Sequence, residues 1–193
     1  IAATEHFVCI YKRPGIPFHS VDKKTGILEL LRQSGMFEDR LYPVHRLDMV
    51  TSGLLLFARG RRATNELANH FRFGRIRKIY LALSDRPPHK KQGMVRGDME
   101  KGRNGAWILL RSQKNPARTL FFSTSLSGQK AGLRLYVIRP LTGRTHQIRV
   151  ALKSIAAPIL GDPLYSRYDL ARQEERTYLH AWFLGFRLFD RDY

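Results

Sequence analysis

The chain has 193 residues, 43% of them hydrophobic and 11% aromatic, with 34 Lys and Arg against 16 Asp and Glu for a formal net charge of +18. Apolar residues spread along the whole length exclude a disordered or fibrous polypeptide and predict one core, hence a single domain over residues 1–193. The charge far exceeds what solubility asks of a small domain and points to a polyanion. Nucleic acid is favoured over a membrane surface, because the basic residues lie between strand-like segments and not along one face of a long amphipathic helix.

In chain order, residues His6 to Tyr11 read as a short apolar strand stopped by Lys12-Arg13-Pro14-Gly15, with Cys9 as an ordinary thiol on it. One cysteine permits no intrachain disulfide and fits a reducing cytoplasm. The chain begins at Ile1, shows no signal peptide, and has no run near the roughly 18 apolar residues of a membrane span. Ile27 to Leu31 predicts a short helix ending near Gly35, and Leu54 to Phe57 a strand buried on both faces.

From Arg61 to Phe73, the positions Ala63, Leu67 and Phe71 recur at helical spacing on an otherwise basic surface helix. Ile76 to Leu83 alternates with period two, so Ile79, Leu81 and Leu83 share one face and Lys78, Tyr80 and Ala82 the other; Tyr80 is expected to point away from the main aliphatic face. Trp107 to Arg111, Thr119 to Thr124 and Leu133 to Arg139 are β-rich pieces of a meander. After Gly143, the spacing of Ile148, Leu152 and Ile155 predicts a helix with Arg149 and Lys153 on a neighbouring stripe. Runs of strands with few helices predict an α+β fold with a mixed, largely antiparallel central sheet flanked by helices.

Nucleotide-binding glycine loops, paired-cysteine zinc spacings and a Gly-x-Ser-x-Gly elbow are all missing, and His45 with Asp48 offers too few ligands for a metal. The polar density of His45-Arg46-Leu47-Asp48-Met49-Val50-Thr51-Ser52-Gly53, set against a buried strand, needs another explanation. A turn satisfied by Asp48 or Thr51 would suffice for an arbitrary Asp-x-x-Thr. The complete string, however, resembles the signature motif of RluA-type RNA pseudouridine synthases. Arg77-Lys78-Ile79-Tyr80 resembles their tyrosine motif and Gly143-Arg144-Thr145-His146-Gln147-Ile148-Arg149 their third motif, in the same order and spacing. Pro158 to Tyr165 and Leu179-His180-Ala181 extend the similarity over nearly the whole chain.

The resemblance implies the pseudouridine synthase fold and a cofactor-free isomerisation of uridine in structured RNA, ribosomal or transfer. It implies no membrane and no obligate protein partner. Asp48 is the implied catalytic carboxylate, acting as a nucleophile on sugar or base, or as a base on a sugar proton; both remain open. Arg149 is implied to pair with it and keep it ionised, and Tyr80 to stack on the extruded uracil. Arg46 is implied to support the flipped nucleotide or fill its place, against the plainer reading of a salt bridge. Lys78 is an implied substrate contact, and Arg144 and His146 are implied to order the active-site loop or to touch RNA backbone, with a purely structural role for His146 weighed equally. Thr51 and Ser52 are expected to shape the loop, and Gly161-Asp162-Pro163 to form a turn without chemistry. Basic stretches at Arg72 to Lys78, His89 to Arg103 and Arg111 to Arg118 suit RNA phosphates.

Two departures concern substrate subgroup more than catalysis: Lys12-Arg13-Pro14-Gly15 where the family has Lys-Pro-x-Gly, and Val150-Ala151-Leu152 where a histidine is usual. The small N-terminal RNA-binding domain of some relatives is not in this sequence, which ends at Tyr193, so target selection is expected to rest with the catalytic domain. The competing readings are a noncatalytic RNA-binding protein on the same scaffold, and a nucleic-acid glycosidase, which would want a second carboxylate.

Overall fold

The computed structural model describes residues 2–37, 40–128 and 130–193. In chain order its elements are β1 (Ala2–Ala3), β2 (Phe7–Lys12), α1 (Ile27–Gln33), β3 (Leu41–Pro43), β4 (Ser52–Arg59), α2 (Arg61–Arg72), β5 (Arg77–Ser84) and β6 (Gln92–Gly97). There follow β7 (Met99–Lys101), β8 (Trp107–Leu109), β9 (Ala117–Ser125), β10 (Arg134–Pro140), α3 (Gln147–Ser154), α4 (Tyr168–Ala171), β11 (Leu179–Gly185), β12 (Arg187–Leu188) and β13 (Arg191–Asp192). The α+β class and the largely antiparallel sheet are those expected. Packing divides the chain into two compact units, one running to Lys78 and including Ala181–Tyr193, the other Ile79–His180.

In the first unit β4 pairs antiparallel with β2 and with the short β3, and β11 follows β4 in the sheet order. Of the run Leu54 to Phe57, expected to be buried on both faces, Leu55, Leu56 and Phe57 are fully buried and Leu54 is half-buried, and the neighbouring Ala58 is fully buried as well. α2 lays Ala63 and Leu67 against Leu56, Ala58, Phe7, Ile76, Phe186 and Leu188, which form this unit's core. Each large apolar side chain so buried contributes roughly 1.5–3 kcal/mol. Gly53, at the start of β4, has φ +113°, and a side chain there would collide with the backbone of Ala181 on β11. Only glycine allows the His45 to Gly53 segment to enter the sheet at this point.

The second unit orders its strands β5-β10-β9-β6, all antiparallel, with β7 and β8 as a separate hairpin. The alternation expected along β5 holds, with Tyr80 pointing away from the aliphatic face, and it is Tyr80's face that the fold covers. Tyr80, Ala82 and Ser84 are buried, while Ile79, Leu81 and Leu83 are only partly covered. The cause is α3. The Gln147 side chain at its first turn bonds Thr119 of β9, which shares a face with Phe121, Ile138 and Tyr80 by register. The apolar stripe Ile148, Leu152 and Ile155 therefore seals Tyr80's face, and the more aliphatic face looks outward.

Candidate active site

Asp48 lies in the first unit, half-buried in a loop between β3 and β4. Its backbone carbonyl accepts the Thr51 N–H at 3.0 Å, closing a tight turn, and Thr51 and Ser52 are buried at the loop's exit into β4, as shaping residues should be. The same loop is tied from β2. Lys12 is fully buried, and its Nζ donates to the carbonyls of Arg13 at 3.0 Å, Ile16 at 2.9 Å and Met49 at 3.1 Å. Three acceptors match the three N–H groups of an ammonium. The Met49 carbonyl also takes the Gly15 N–H at 2.8 Å. Burial lowers the Lys12 pKa to about 8, opposed by the attraction of Asp48, so the residue beside Met49 already interacts electrostatically with this ammonium.

His45 begins the motif as a structural residue. Its Nε2 accepts the Leu56 N–H at 2.9 Å, and its ring stacks on Phe71 of α2 with centroids 4.4 Å apart. Burial first, and then the nearby Lys78 charge, lower its pKa to about 3. An imidazole that accepts a backbone N–H must be neutral, with the proton on Nδ1. Lys78 is itself partly buried, which lowers its pKa. Arg46 is exposed and has no ion pair among the described residues.

In the second unit, Arg149 is 4% exposed on α3. Its Nε donates to Asp162 Oδ2 at 2.7 Å and its Nη2 to Asp162 Oδ1 at 2.9 Å. Asp162 is fully buried, and its Oδ1 also accepts the N–H groups of Leu164 at 2.9 Å and Tyr165 at 3.2 Å. The segment expected to be a turn without chemistry is thus the clamp that orients Arg149. The missed signal was an acidic residue between glycine and proline that needs a buried cation if it is not at the surface. Gly161 supplies the φ of +71° that turns the chain there, and a side chain on it would meet the Arg176 carbonyl.

Tyr165 completes the clamp. The Arg149 guanidinium lies 4.9 Å over its ring and the Lys153 ammonium 5.6 Å, so the basic stripe expected on this helix converges on one aromatic. The Tyr165 hydroxyl accepts the Trp107 N–H at 2.8 Å and sits 2.8 Å from His146 Nδ1. His146 precedes α3 with φ +56°, a left-handed conformation uncommon for a non-glycine residue and held here by its bond to Tyr165. Arg144 bonds Asn115 through its guanidinium and Gln147 Oε1 through its backbone N–H at 2.9 Å. Gln147 also accepts from Thr142 and donates to the Arg118 carbonyl and Thr119, so its buried amide fastens the third motif to β9. Tyr80 stands 8% exposed on β5, opposite Ile138.

Asp48, Arg46 and Lys78 therefore belong to the first unit, and Tyr80, Arg144, His146 and Arg149 to the second. Sequence reasoning did not single out Lys12, Asp162, Gln147 or Tyr165 for the work they do in holding these groups. Among the described residues no cluster of His, Cys, Asp or Glu could hold a metal ion, and no helix is long and apolar enough to cross a membrane.

Comparison with known proteins converges on one family. Residues 6–154 match the model of the RNA pseudouridylate synthases. An uncharacterized RNA pseudouridine synthase of Haemophilus influenzae is 44% identical over 93% of this chain and 78% of its own length. The dual-specificity RNA pseudouridine synthase RluA of Vibrio parahaemolyticus is 31% identical over 86% of this chain and 73% of its own. In fold, human RNA Pseudouridylate Synthase Domain Containing 1 superposes with a TM-score of 0.83 over 100% of this chain and 80% of that one, at 22% identity. By its motifs, its fold and these relatives, the chain belongs to the RNA pseudouridylate synthase family, whose members are isomerases.

Proposed function

We propose that the protein isomerises particular uridines of structured RNA, ribosomal or transfer, to pseudouridine, with Asp48 as the essential carboxylate. The observation that carries the reading is the Asp48 loop. Its backbone is fixed by the Thr51 turn and by the Lys12 ammonium on the Met49 carbonyl, so the side chain next to Met49 is preorganised beside a positive charge. A carboxylate held in this way suits either attack on the nucleotide or removal of a sugar proton.

In this reading Arg149, oriented by Asp162, is the basic residue of the catalytic set, and Tyr80 stacks on the extruded base. Exposed Arg46 supports the flipped nucleotide or fills the stack it leaves, and Lys78, Arg144 and His146 meet the RNA. The formal charge of +18 accords with a polyanionic substrate, and the single cysteine with work in the cytoplasm, where such RNA is abundant. A relative known as a ribosomal large subunit pseudouridine synthase, from Rickettsia conorii and 34% identical over 72% of this chain and 46% of its own length, supports the ribosomal reading, and a dual-specificity relative accords with more than one target.

The test is Asp48→Asn. We expect loss of all pseudouridine formation on total ribosomal and transfer RNA, with RNA affinity within about threefold of wild type, because one neutralised carboxylate removes no phosphate contact. An active Asp48→Asn protein would overturn the assignment. Mapping pseudouridines in cells with and without the gene identifies the target RNA.

A further inference from the structure

The outward face of the β5-β10-β9-β6 sheet is used by none of the interactions above. Register arranges it in rows: Leu81, Val137, Phe122 and Gln92 across all four strands, then Leu120 between Arg139 and Met94, then Arg118 opposite Arg96. Phe122, Met94 and Val137 are 53%, 48% and 38% exposed. Arg96, Arg118 and Arg139 are exposed as well, and among the described residues none of them has an ion pair.

Both features are unfavourable in the free protein. Directly opposite side chains on neighbouring strands are about 5 Å apart at Cβ, and like charges so placed weaken the pairing. An aromatic flanked by aliphatic side chains on an open sheet face leaves apolar area in water. A ligand that carries negative charge at short intervals and offers flat apolar faces relieves both at once. Unpaired RNA has this chemistry; in a duplex the base faces are stacked away. A second copy of the chain is a poorer occupant, since a self-complementary contact would bring two arginine-rimmed faces together on molecules of formal charge +18.

We infer that this sheet face binds a single-stranded segment of the RNA substrate. Phe122 stacks on a base with Met94 and Val137 at its edges, and Arg96, Arg118 and Arg139 take phosphates. The inference rests on RNA being the substrate, and it adds a recognition surface that takes no part in the chemistry assigned to Asp48.

The test compares the full chain with Phe122→Ala, Phe122→Trp and the double variant Arg96→Gln/Arg118→Gln. Fluorescence anisotropy is read on an unstructured oligouridylate and on a blunt poly(A)·poly(U) duplex. Phe122→Ala should weaken oligouridylate binding about tenfold, leave duplex binding unchanged and raise KM for a natural RNA, and Phe122→Trp should retain affinity. The double arginine variant should flatten the log–log salt dependence by about 1.4, twice the single-strand value per phosphate. Thermal melting confirms folding, and these exposed side chains should leave it nearly unchanged.

Wild-type affinity and salt slope in folded Phe122→Ala and double variants would overturn the inference. So would the same substitutions abolishing self-association or binding to phosphatidylserine vesicles while leaving oligouridylate binding intact. If the wild type forms no pseudouridine but the oligouridylate results hold, the activity reading fails and this surface stands. If the wild type is active and the variants bind normally, the reverse follows.

Discussion

In the first unit a cation organises backbone around Asp48, whereas in the second a carboxylate organises the side chain of Arg149. Lys12 reaches three carbonyls with one ammonium, so what it orders is the path of the loop. Asp162 meets the guanidinium edge-on through two oxygens, so what it orders is the plane of one side chain. A loop held by a titratable pin can loosen without unfolding. A buried bidentate pair cannot lose one partner without weakening the charge compensation of the other.

The sharpest break of this comparison is Asp162→Ala, which removes both carboxylate oxygens from the buried Arg149 guanidinium and should cost on the order of 3–5 kcal/mol in urea denaturation. Asp162→Asn keeps the shape but not the charge, and a smaller loss is expected. Lys12→Met deserts three carbonyls of a loop that water can still reach and should cost about 1–3 kcal/mol. Its effect on pseudouridine formation should exceed its effect on stability, and equal losses would argue that Lys12 is only a packing residue.

The pH dependence separates loop order from stability more finely. Above about pH 8 the Lys12 ammonium loses a proton and one of its donors, so turnover should fall. The folded pKa lies below the unfolded value of 10.5, so the group's contribution to stability rises between those two pH values and does not account for that fall. The downturn should be absent from the residual activity of Lys12→Met. His45 acts at the other end. Its pKa of about 3 in the fold against 6.5 means that stability present above pH 6.5 is lost as pH drops toward 3. His45→Gln should flatten the urea midpoint over that range. The smallest change expected is Tyr80→Phe, which removes only a hydroxyl: stability should move by under about 1 kcal/mol, and kcat reports whether the hydroxyl or only the ring is needed.

Much of this molecule was legible in the sequence because its signals are local. The period of Ala63, Leu67 and Phe71 and the unbroken run Leu54 to Phe57 each depend on a few adjacent residues, and the structure realises both as α2 and β4. The motif strings likewise located Asp48, Tyr80 and Arg149 without reference to any other segment. β5 marks where local reading stops. Its alternation is written in the sequence, but which face is buried depends on where α3 settles, and α3 is brought to Tyr80's face by Gln147 reaching Thr119, 28 residues away.

Lys12 and Asp162 belong to the same class. A lysine before a turn and an aspartate between glycine and proline look like surface residues until their partners are known. Those partners are the Met49 carbonyl, 37 positions from Lys12, and the Arg149 side chain, 13 positions from Asp162. The sequence by itself determined the family, the α+β class and the residues to which chemistry is assigned, because each is carried by short patterns of residue type. Only the tertiary structure decided what holds Asp48 and Arg149 and which sheet face is left open, because buried charges and sheet faces are satisfied by partners that chain order does not specify.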